Sequence, residues 1–168
     1  MRKSLDSLYL ASGVLAAIFL ALIAVSILFQ IVGRSLGLVV DATEFSGFCL
    51  SASTFLGLAY SLRHGAHVRV GLLVDALSGS WRRLLESFVC AVSAGVVGWL
   101  CWCAALYTQQ SYEYGDLSPG LIAAPLWIPQ LGITLGLAIM TVALLDELYR
   151  LIRYGRANYI DNDSGSLE

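Results

Sequence analysis

Four cysteines, Cys49, Cys90, Cys101 and Cys103, are the first candidates for chemistry in this chain. A membrane thiol oxidoreductase would need thiolates that a partner can reach, in surroundings that lower their pKa. No two of these cysteines form a Cys-x-x-Cys pair, and all lie within or at the start of long apolar runs, where cysteine packs as a small hydrophobe. His64 and His67 are three apart and could share a helix face, with Asp75 further along, yet a metal site needs more ligands and Gly65 weakens a helix between them. Catalytic residues, a metal and a cofactor are therefore not expected.

Two charged patches remain. Gln30 and Arg34 are four apart and share a helix face, and Asp41 and Glu44 follow within a short loop. Arg34 could pair with either carboxylate if the loop folds back, or all three could meet another protein; Arg34, Asp41 and Glu44 are thus candidates for a docking area. The second patch, Arg63, His67 and Arg69, sits between two apolar runs and could anchor a loop against lipid phosphates or a partner. At the least it marks a side of a membrane.

The elements that must position these groups follow from composition. The 168 residues are 58% hydrophobic and only 13% charged, about half the charged share of an ordinary soluble domain. Mean hydropathy is +0.75. A hydrocarbon core roughly 30 Å thick takes about 20 apolar residues per helix. Four runs of suitable length occur, at about 8–32, 45–62, 87–107 and 125–145, none with a full charge inside. The first follows Arg2 and Lys3 but outlasts the h-region of a signal peptide, so it reads as a retained span. None alternates in the manner of a barrel strand. The net charge of −2 and the lack of a basic, aromatic-rich block argue against nucleic acid.

The fold class expected is therefore all-α membrane protein: a bundle of four transmembrane helices with one or two short interfacial amphipathic helices. One such helix falls at about 70–77, with Trp81 at headgroup depth. A single transmembrane domain covers 1–157, and 158–168 form a polar tail. Nine of the ten basic residues, all but Arg34, fall on one side of a four-crossing topology, which puts both termini in the cytoplasm. Small residues four apart, Ser12 and Ala16, Ser53 and Gly57, Ala91 and Gly95, Gly132 and Gly136, suit close helix crossings. No span carries a carboxylate or an interruption of the kind that marks an ion path.

The arrangement resembles the small, DctQ-like membrane subunit of tripartite ATP-independent periplasmic (TRAP) transporters over nearly the whole chain. The likeness rests on an arginine closing span one, an acidic start to span two, and a loop of the form G-x-H-x-R-V-x-x-L-x-x-x-L. That loop is carried here by Gly65, His67, Arg69, Val70, Leu73 and Leu77, and the approach to span four reads "APLWIPQLGITLG". Gly71 and Ser78 depart from the acidic residue and the proline often found at those places. The resemblance implies a non-enzymatic scaffold in a bacterial inner membrane. Its partners would be a large sodium-coupled membrane subunit, membrane lipids and a periplasmic substrate-binding protein, in a system for organic-acid uptake. A thiol oxidoreductase, and a small transporter or channel acting alone, are the alternatives.

Overall fold

The computed structural model describes residues 2–38, 41–63, 80–120 and 123–154. Four helices account for nearly all of them: α1 (Arg2–Ser35), α2 (Thr43–Arg63), α3 (Ser80–Tyr114) and α4 (Trp127–Tyr154). Each is long and apolar enough to cross a membrane, and among the described residues there is no β-strand, only an isolated bridge between Leu117 and Pro125. The expected interfacial helix at 70–77, with His67 and Arg69, lies outside the described residues.

The helices outrun the apolar windows that reveal them. α3 begins at Ser80 and continues through Tyr114, and α4 continues to Tyr154. Hydropathy falls at the first charged residue, whereas a helix ends only where the backbone turns out of it. α1 stops at Gly37, which adopts φ 77°, with Leu38 N bonded to Gly33 O and Gly37 N to Arg34 O. This paired closure satisfies carbonyls that the helix end leaves open. α3 closes in the same way at Gly115, φ 65°, with Asp116 N on Ser111 O. At about 1.5 Å per residue, α1 and α3 are each roughly 50 Å long and α2 only about 32 Å.

Within this four-helix architecture the helices form an open row. α1 packs on α2, α2 on α4 and α4 on α3, while α1 only grazes α4. Chain order does not give this sequence: α2 and α3 are consecutive, yet α4 lies between them. Small residues set the close crossings. Ser12 Oγ donates to Leu56 O and Ser53 Oγ to Ala16 O, the second at 2.9 Å, tying α1 to α2. Gly136 lies against the backbone of Phe55, and Gly132 against Ala52, bringing α4 onto α2. Interhelical hydrogen bonds of this kind average about 0.6 kcal/mol each in membranes, so the packing of these small faces carries much of the association. Three of the four small-residue pairs lie within the row. The fourth does not: Ala91 is exposed and Gly95 has nothing within 4 Å.

Buried clusters follow the row. Tyr9, Ala59 and Ala143 join α1, α2 and α4; Ala16, Ala52 and Leu56 join α1 and α2; Ala94, Met140 and Leu144 join α3 and α4. The two edge helices expose long apolar faces, including Leu28 and Phe29 on α1 and Phe88, Trp99 and Trp102 on α3.

Candidate functional site

The end of α1, the start of α2, the end of α3 and the start of α4 all lie at one end of the row, and Arg34, Asp41 and Glu44 are found there. Arg34 stands exposed in the last turn of α1. Asp41 is fully exposed, and its Oδ1 accepts from Thr43 N at 3.0 Å, a local cap that orients the first turn of α2. Hydrogen bonds from the Thr43 side chain and then its backbone hold the Asp41 carboxyl below its ordinary range. The pair between Arg34 and Asp41 that the sequence suggests is not formed among the described residues; Asp41 Oδ1 instead caps its own helix.

Glu44 behaves differently. It is half-buried in the first turn of α2, where a negative charge favours the helix dipole. Its carboxylate lies over Gly120, so closely that a Cβ at that position would collide with it. Gly120 belongs to a hairpin joining α3 to α4. Leu126 N bonds Asp116 O at 3.0 Å, Ser118 N bonds Ala124 O at 2.9 Å, and Ala123, at φ 45°, closes the tip with its N on Gly120 O. The hairpin thus crosses from the α3–α4 pair to the start of α2. Tyr112 and Trp127 meet edge to face beside it, with centroids 5.7 Å apart. Pro119 and Gly120 are turn formers by residue type, but a turn signal carries no information about what the turn touches, so the clamp on Glu44 is not legible in the sequence.

At the other end, Arg63 is the last residue of α2, and His67 and Arg69 lie outside the described residues, so their grouping is not seen. A different arginine is prominent there. Arg150, readable from sequence only as a topology marker, is 8% exposed, and its Nε lies 3.4 Å from Asp146 one turn back. Arg153 donates to Tyr149 OH at 2.6 Å and lies over its ring. The four cysteines are free thiols; Cys90 faces Leu144 O and Cys101 faces Thr134 O, both across the α3–α4 contact.

Comparison with known proteins joins these features to a lineage. Residues 23–154 match the model of the family described as "Tripartite ATP-independent periplasmic transporters, DctQ component". The chain belongs to this family. The DctQ match runs from the middle of α1 to the end of α4 and takes in both charged patches. Among curated proteins, the chain is similar to the ectoine TRAP transporter small permease protein TeaB of Halomonas elongata. The two are 29% identical over 145 residues, which is 85% of this chain and 72% of the relative. It is also similar to the C4-dicarboxylate TRAP transporter small permease protein DctQ of Rhodobacter capsulatus, 26% identical over 106 residues, 63% of this chain and 46% of that protein. As a DctQ component, the chain is a small permease subunit of a TRAP transporter, a multi-pass protein of a bacterial inner membrane. Such subunits are parts of a transporter and not enzymes.

Proposed function

We propose that this DctQ-type subunit acts as a fixed frame: it holds a larger, sodium-coupled membrane subunit in the bilayer and helps seat a periplasmic substrate-binding protein during uptake of an organic acid. The observation that carries the reading is the open row. A self-sufficient transporter encloses its path, typically between interrupted helices with ionisable groups at mid-depth. Here the four helices are continuous, lie side by side, and leave both edge helices apolar and uncovered. Both termini lie on the cytoplasmic side in this proposal, which follows the distribution of arginine and lysine, and the Arg34 end then faces the periplasm. The two curated relatives serve ectoine and C4-dicarboxylate transporters, and the substrate class proposed for this chain's transporter is a small organic acid.

Arg34 and Asp41, both exposed, form the docking area for the binding protein, and Glu44 holds its floor. Arg63, His67 and Arg69 anchor the cytoplasmic loop to lipid phosphates or to the large subunit. Reversing the charge at Arg34 or Asp41 in the assembled system should lower solute uptake several-fold without changing the amount of subunit in the membrane. Uptake equal to wild type, with equal membrane levels, would contradict the docking role.

A further inference from the structure

We propose that α3 and α4 hold a buried water molecule between Ser111 and Gln130, beneath the hairpin that joins them. The two helices run in opposite directions and meet at Thr108 and Thr134, whose hydroxyl oxygens are 3.0 Å apart. Ser111 is three residues beyond Thr108 and Gln130 four before Thr134, so helical period sets both on the same contacting faces, one turn nearer the hairpin. From the hairpin side, the same two residues are linked through the backbone. Asp116 N bonds Ser111 O at 3.1 Å, Leu126 N bonds Asp116 O at 3.0 Å, and Gln130 N bonds Leu126 O at 3.3 Å. Ser111 and Gln130 are therefore bracketed in one layer, with the threonine contact below and the hairpin ladder above.

The polar atoms of this layer are unusual for the chain. Ser26, Ser51, Thr108, Thr134 and Thr141 each donate to the carbonyl one turn back in their own helix, the ordinary resting place of a hydroxyl in an apolar span. Ser111 does not. It is 1% exposed, and neither its Oγ nor Oε1 of Gln130 has a hydrogen-bond partner among the described residues. Ser118, 7% exposed on the adjoining arm of the hairpin, brings to the same end a further hydroxyl that has no partner among the described residues. Buried polar groups are paired with protein or with ordered water, and a buried water typically makes about three bonds. All three groups are neutral and together can both donate and accept, which suits water and offers an ion no counter-charge. The water is a keystone: it fixes the hairpin that in turn places Gly120 over Glu44.

The test uses the full chain in its assembled complex in lipid nanodiscs. A cryo-EM map that resolves waters should show density within about 2.6–3.2 Å of both Ser111 Oγ and the Gln130 amide. Ser111→Ala should raise amide hydrogen exchange at Asp116, Ser118 and Leu126 by roughly tenfold, the scale of one stranded polar group. The double variant Ser111→Ala/Gln130→Leu, which leaves neither of these two groups stranded, should return exchange toward wild type. A Ser111 hydroxyl turned back to Tyr107 O, a direct Ser111–Gln130 bond without water density, or unchanged exchange in Ser111→Ala would overturn the proposal.

Discussion

At Gly120, a single methyl group would meet the Glu44 carboxylate, so the residue type there is set by a contact 76 positions away in the chain. Gly120→Ala should therefore push Glu44 off the start of α2 and destabilise the subunit by about 1–3 kcal/mol, the usual range for overpacking a tight contact. Thermal unfolding of the purified chain in mild detergent would report this, and Glu44→Ala in the same chain should recover part of the loss; an unaltered melting temperature in Gly120→Ala would show that the clamp has slack. Asp41 makes a separate prediction. Its folded-state pKa is lowered, so the stability it lends is fully present above the unfolded value, near 3.8, and is lost as pH falls through the lower folded value. Carbon-detected NMR of the Asp41 carboxyl should give a midpoint below 3.8, and Thr43→Ala, which removes the largest cause, should raise it. A midpoint at 3.8 that is indifferent to Thr43 would contradict the cap. From sequence, Asp41 and Glu44 look alike, two acids preceding an apolar run. Only the fold separates them into an exposed cap and a half-buried clamp, because the partner of Glu44 lies on a different connection.

Between the helices, glycine has two different roles that substitution should distinguish. Gly136 admits the backbone of Phe55, and Gly136→Leu should pry α4 from α2, with a loss of several kcal/mol or failure to fold. Gly95 has open space around it, and Gly95→Leu should leave the melting temperature of the isolated chain within about a degree of wild type, a change under about 0.5 kcal/mol. Equal effects from the two would argue against the row as drawn. The spans themselves were legible because hydropathy over about 20 residues is a strong, local signal. Their ends were less so: the helical segments 80–86 and 108–114 carry charges or polar groups that lower hydropathy without breaking the helix. The order of helices was not legible at all. Small-residue spacing marks faces that can be approached closely, and Ser12 with Ala16, Ser53 with Gly57 and Gly132 with Gly136 did become contacts. Nothing in one sequence says which face meets which, so α4 lying between α2 and α3 had to come from the structure.

Across the whole molecule, the open row leaves the apolar faces of its two edge helices, each helix about 50 Å long, uncovered by the rest of the chain. Under the proposed function, this frame is completed by the large, substrate-moving subunit of the transporter. The most direct measurement is to tag the C-terminus, extract native membranes in mild detergent and identify by mass spectrometry what accompanies the chain in equal amount. A fixed frame predicts one much larger polytopic membrane protein at a one-to-one ratio. Recovery of the chain alone, or only with copies of itself, would contradict it.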